Sequence, residues 1–189
     1  MGVSKSEFRI IEETLPIILL FLFVGLFTGG VLNGVIKDAS MVPGILIIVP
    51  GMLGLRGNIS SALGARLSSG LHLGYISTRK FSKGLKANIE ISILMSLFIS
   101  FVLSVLAWQT CIYLGGTCMG LTNFVLITVL TGLMSGVLMS FTTSGIAILS
   151  YRRGLDPDNT TLPAAASIGD IITIICLLIS IRFVLVLGI

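Results

Sequence analysis

Asp170 lies inside an apolar run, Ala164-Ala-Ala-Ser-Ile-Gly-Asp170-Ile-Ile-Thr173. A charge at the centre of a membrane helix costs about 2.5–3.5 kcal/mol on insertion scales. A carboxylate there is therefore protonated, ion-paired, or bound to a cation in a wet cavity. Ser167, Asp170 and Thr173 recur at i, i+3 and i+6 and share one helical face. The small residues Ala164, Ala165, Ala166 and Gly169 let another backbone approach. A second polar constellation is Pro50-Gly-Met-Leu-Gly54-Leu-Arg56-Gly57-Asn58. Glycines following a proline in an apolar segment read as a broken helix, tolerated in a bilayer only where the backbone is buried in protein or lines a cavity. Carboxylate, carboxamide and hydroxyl oxygens form a hard donor set. It suits a cation such as Mg2+, which sheds water reluctantly and is held by one or two carboxylates. Soft metals need Cys, Met or His clusters, whereas this chain has three cysteines, one histidine and no CxxC.

The elements that carry these residues follow from composition. Of 189 residues, 54% are hydrophobic and 11% charged, with 22 glycines, 5 prolines and a mean hydropathy of +1.09. A soluble domain carries about 25% charged residues. The composition excludes a soluble enzyme, a disordered chain and a disulfide scaffold, and the net charge of +4 is no nucleic-acid signal in such a chain. At about 20 apolar residues per span, the chain has room for five spans and no separate soluble domain. The expected fold is an all-α integral membrane protein, a single domain over 1–189. Its spans are near 15–36, 43–73, 87–114, 121–149 and 162–187, the second interrupted.

Lys5, Arg9, Arg79, Lys80, Lys83, Lys86, Arg152 and Arg153 fall in alternate loops, with Lys37 alone opposite. The positive-inside rule puts the N-terminus in the cytoplasm and the C-terminus outside. Counted through these spans at 1.5 Å per residue, Asp170 is about 12 Å deep and Asn58 about 9 Å from the cytoplasmic face. Arg56 falls at the same level, so an Arg56–Asp170 pair with no transport role is the rival reading. Arg56 and Asn58 are about 200° apart on a helix and face opposite ways.

Other polar residues have plainer explanations. Arg66, Arg182 and Glu90 lie near span ends and can reach the interface, Glu90 doubling as a candidate cytoplasmic entry residue. His72 reads as an interfacial histidine, and Met134 and Met139 as packing. Thr128, Thr131, Ser135 and Thr142 are expected to bond to their own backbone. Gly132, Gly136 and Ser140 form a small-residue row suited to close helix packing. Cys111 and Cys118 flank one loop and would pair only if it faces an oxidising space; buried free thiols are the expectation.

At Pro50, Gly54, Gly57 and Asn58, and again at Asp156-Pro157, Pro163 and Asp170, the sequence resembles the MgtE-type magnesium channels and the related solute carrier family 41 transporters. Ala65-Arg66-Leu67-Ser68 and the run ending in Asp170 look closer to the solute-carrier branch. The resemblance implies that Asp170 lines a cation path opposite its counterpart in a second copy. It also implies that Asn58 lies near the path and that two such domains make the pore. Ile59-Ser-Ser-Ala62 stands where the MgtE type has Ala-Gly-Thr-Gln, and the MgtE-type sensor domains are not in this sequence.

The expectation is divalent cation transport, with Mg2+ as substrate and no cofactor. The protein would be a homodimer, or a heterodimer with a homologous half, in the plasma membrane. Asp170, Asn58, Ser167, Thr173 and Glu90 are the candidate metal-site residues. The alternatives are a structural subunit in which Arg56 neutralises Asp170, and an intramembrane enzyme. The enzyme reading lacks a second intramembrane aspartate, and a Ser144–His72 pair lacks the glycine two residues before its serine.

Overall fold

The computed structural model describes residues 43–78 and 81–187, together with residues 12, 14–16, 18–20, 22–30 and 32 of the preceding segment. Lys5, Arg9, Lys37, Arg79 and Lys80, which entered the charge reading, lie outside the described residues. An apolar helix α1 runs over Thr14–Gly30. A 3-10 turn at Ile45–Ile47 leads into α2 (Ile48–His72), followed by α3 (Lys83–Tyr113), α4 (Leu121–Arg152) and α5 (Pro157–Val186). With the 3-10 turn counted into α2, four helices among the described residues are long and apolar enough to cross a membrane, and α1 is shorter. No strand occurs among the described residues.

The expected break in the second span is not there. Ile48–His72 is one continuous α-helix. Pro50 stands in its first turn, where the missing N–H would have no intrahelical partner and the fixed φ is already helical. The glycines that follow stay helical and serve spacing. A Cβ at Gly51 would stand 2.6 Å from a methyl of Leu103 on α3, whereas at Gly54 and Gly57 it would meet nothing within 4 Å.

The start of α5 also differs, lying earlier than the apolar run suggests. Asp156 caps it, its carboxylate accepting from the Asp158 amide at 3.0 Å, with Pro157 in the first turn. This is the residue pattern that begins helices, and hydropathy alone does not register it.

α3 is sorted against the soluble-protein rule. Its inward stripe is Ser92, Ser96, Ser100, Ser104 and Ala107, while Leu94, Phe98, Phe101 and Leu106 point outward, Phe98 being 67% exposed. Lipid solvates large apolar side chains as well as a protein core does, so small residues go where helices must touch. Gly132 and Gly136 of α4 meet this stripe. A Cβ at Gly132 would lie 2.0 Å from Ser100 Oγ, and one at Gly136 would lie 2.8 Å from Ser96 Oγ. The row of small residues on α4 is thus used for packing within the chain.

Two apolar clusters bracket this polar waist. One joins Ile45, Ile48 and Met52 to Phe124, Ile127, Leu177 and Ile181. The other joins Leu63, Leu67 and Leu71 to Leu85, Ile89 and Ala147.

The loops group as the alternation of spans requires. At one end Arg152 donates to the Thr78 carbonyl, and His72 Nε2 is 3.9 Å from Asp156 Oδ1 with its ring edge-on to Tyr151. At the other end the Met119 amide donates to the Pro43 carbonyl at 3.2 Å. Cys111 and Cys118 are bonded to each other there, correcting the expectation of free thiols; Cys176 is free and buried. Gly44, at φ 84°, turns the chain against this bridge, where a Cβ would stand 2.8 Å from Cys111 Sγ.

Two outcomes follow from this packing. Gly132→Val should destabilise the protein by about 1–3 kcal/mol through overpacking against Ser100, read as a lowered midpoint of thermal unfolding in detergent. Protein purified without reductant should alkylate at one cysteine per chain when denatured and at three after reduction. Removing the bridge should cost about 2 kcal/mol for so short a loop.

Candidate functional site

Asp170 is half-buried on α5, and no hydrogen-bond or ion-pair partner holds its carboxylate among the described residues. Its neighbour Gly169 is buried against α4 and α2. A Cβ there would stand 3.2 Å from Met139 Cε and 4.0 Å from Arg56 Cβ. The absence of a side chain at 169 therefore lets α5 sit close enough for Asp170 to border the waist. Ser167 is half-buried on the same face one turn away, its hydroxyl donating to the Pro163 carbonyl at 3.3 Å. Thr173 belongs to the buried side, with its hydroxyl committed to the Gly169 carbonyl at 2.6 Å.

Asn58 is exposed on α2 and has no hydrogen-bond partner among the described residues. It lines a groove of about 350 Å³ with Pro50, Gly54, Ile59, Ile99 and Leu103. With helix bounds in hand, the depth count changes but the coincidence of level does not. At 1.5 Å per residue, Asp170 lies about 20 Å from Pro157, and Asn58 lies about 21 Å from His72 at the same end of the bundle. Both distances run from the helix ends and not from a membrane face. The structure sets Asp170 and Ser167 together and puts Asn58 at their level on the adjoining helix α2. It does not bring Glu90 to them. Glu90 is exposed near the start of α3, 3.5 Å from Lys86 Nζ one turn away.

The rival Arg56–Asp170 pair is not formed. Arg56 is 1% exposed and reaches the other way. Its Nη2 donates to Ser96 Oγ on α3 and, at 3.3 Å, to the Gly132 carbonyl on α4. A residue two positions from Asn58 points about 200° away from it, and since Asn58 faces outward, Arg56 must enter the bundle. Arg66 bonds back to the Ala62 carbonyl at 3.0 Å. Thr128, Thr131, Ser135 and Thr142 each donate to the carbonyl one turn before, at 2.5–2.8 Å. Ser144 does the same to Ser140 at 2.7 Å, so it makes no dyad with the exposed His72. No group of three or more His, Cys, Asp or Glu side chains gathers among the described residues.

One surface property was not legible from spacing. The exposed edge of α2 consists of Pro50, Gly54, Asn58, Ala62, Ala65, Ser69 and, at its end, His72, and no large apolar side chain is exposed between Leu46 and Leu73. The same holds on α5 between Leu155 and Ile175, the stretch that carries Asp170. Everywhere else the long helices present Leu, Ile, Val and Phe to the outside. The signal in the sequence is the run of small residues every third or fourth position of α2, which serves a packed or a hydrated face equally well.

Residues 49–180 match the MgtE family, described as a divalent cation transporter. Over 192 residues the chain is 28% identical to solute carrier family 41 member 2 of Mus musculus, a match covering 91% of this chain and 32% of that protein. Its Homo sapiens counterpart is 28% identical over 175 residues, 85% of this chain and 29% of that protein. Solute carrier family 41 member 3 of Mus musculus is 30% identical over 151 residues, 74% of this chain and 29% of that protein. The chain thus spans about a third of the length of these relatives.

Proposed function

The chain belongs to the MgtE family of divalent cation transporters, and from this premise we propose that two copies carry Mg2+ across the membrane along a path lined by Asp170 of each. The family is one of transporters and not of enzymes, and the divalent ion is its substrate. The observation that carries the proposal is that α2 and the first half of α5 each expose a stretch free of large apolar side chains, the one bearing an unpaired carboxamide and the other an unpaired carboxylate at one level. Such a face is costly against acyl chains and suits a second copy with water between.

Two carboxylates across a low-dielectric path repel unless they are protonated or bridged by a divalent ion. Mg2+ entering with most of its water would be held by the pair through retained waters. Asn58 and Ser167 would offer further oxygens at the rim, and Thr173 would stiffen the helix behind them. Glu90, exposed beside Lys86, would meet the ion at the cytoplasmic mouth.

In this arrangement the end bearing Lys83, Lys86, Arg152 and Arg153 is cytoplasmic. α1 is the first of five spans, the N-terminus is inside, and the domain resides in the plasma membrane. The Cys111–Cys118 bridge at the opposite end accords with an oxidising outer space.

In proteoliposomes, Asp170→Ala should reduce Mg2+ uptake to the level of empty vesicles while the protein still elutes as a dimer. Asn58→Ala should raise the apparent KM about tenfold, equivalent to about 1.4 kcal/mol of cation binding. Native uptake by Asp170→Ala protein would refute the proposal.

A further inference from the structure

Arg56 is the bulkiest of the fully buried side chains among the described residues, and the transport proposal gives it no task. Replacing a buried ionic group by an apolar one of similar size is often neutral or stabilising, so an arginine here calls for a role that volume alone does not supply. Its bonds are directional. Nη2 donates to Ser96 Oγ and to the Gly132 carbonyl, and Ser96 Oγ donates to that same carbonyl at 2.7 Å, closing a triangle between α2, α3 and α4. Gly136 leaves the space: a Cβ there would stand 3.5 Å from Nη1 and 2.8 Å from Ser96 Oγ. The stem of the side chain faces α5, where Arg56 Cβ lies 4.0 Å from the point a Cβ of Gly169 would occupy, one residue before Asp170.

Beyond the contact of Gly51 with Leu103, the outer side of α2 offers little to hold its rotation, since Gly54 and Gly57 have nothing within 4 Å of a Cβ position. Rotation of this stretch is set from the inner side, and Arg56 is where that side bonds to two other helices. We propose that Arg56 is a positioning residue. Its guanidinium, anchored on α3 and α4, fixes the rotation of α2, and thereby the direction in which Asn58 presents its amide and the seating of α2 against Gly169 and Asp170. The consequence for transport rests on the Mg2+ path proposed above; the consequence for the direction of Asn58 does not.

The test uses the full chain in liposomes with Asn58→Cys as reporter. Cys176 is buried and Cys111 is bonded to Cys118, so the introduced thiol is the one that a water-soluble methanethiosulfonate meets. Arg56→Met, which keeps the bulk and removes the donors, should change the labelling rate of the reporter about tenfold. With Asn58 restored, it should raise the apparent KM for Mg2+ about tenfold and leave the maximal rate within about twofold. Arg56→Lys, which keeps a cationic donor on the same side of α2, should restore both readouts to within about threefold. An Arg56→Met protein with native labelling and native KM, whatever its melting temperature, would overturn the proposal. Should that variant not fold, Gly136→Ala crowds Ser96, the acceptor that holds the guanidinium, with the charge of Arg56 intact, and unchanged labelling and KM in that protein would overturn it equally. Absence of Mg2+ flux in the wild-type chain would refute the transport reading instead, and the labelling comparison would then decide the role of Arg56 alone.

Discussion

Helices surrounded by acyl chains gain nothing from hiding leucine, so what binds this bundle is backbone approach. The serine stripe of α3 lies against Gly132 and Gly136 of α4, and Gly169 lies against Met139 and the stem of Arg56. Each contact is available only because a side chain is small or missing. In the waist between the two apolar clusters, packing, hydrogen bonding and the burial of a guanidinium occur together. The polar groups there are tolerated because donors and acceptors from different helices come within reach of one another.

That waist is also the level of Asn58 and Asp170. The same small residues that let the helices close on the inside leave the outer edges of α2 and inner α5 without bulk. Polar chemistry is thus divided by direction. The permanent cation turns inward, where its Nη2 donates to Ser96 and the Gly132 carbonyl and its Nε is buried without a hydrogen-bond partner among the described residues. The carboxylate turns to the rim and has no partner among the described residues. A chain that had paired the two would have committed to a structural bond the one unpaired carboxylate found at this level among the described residues.

Much of this was readable from residue types. Apolar run length located the four long helices because lipid thickness dictates span length, and the lone deep aspartate was conspicuous because charge is expensive there. Readings failed where a residue's effect depends on position within an element. Pro50 looks like a break until it is known to stand in a first turn. Asp156 and Pro157 start α5 through capping, which hydropathy ignores. The direction of Arg56 followed from helical geometry once Asn58 was known to face outward, but its partners on α3 and α4 are far away in the chain and had no local sign. The Cys111–Cys118 bond required the return of the chain at Gly115 and Gly116, which spacing allows without demanding.

The inversion of α3 bears on how this gene product can vary. An exchange of Phe98 for leucine or isoleucine trades one lipid-soluble group for another and should pass unnoticed. Ser96 to leucine, which every hydropathy measure would score as an improvement in a membrane helix, would drive a wedge into α4 and deprive the guanidinium of its nearest acceptor. Substitution tables built on hydrophobicity therefore rank the harm of changes along this helix backwards.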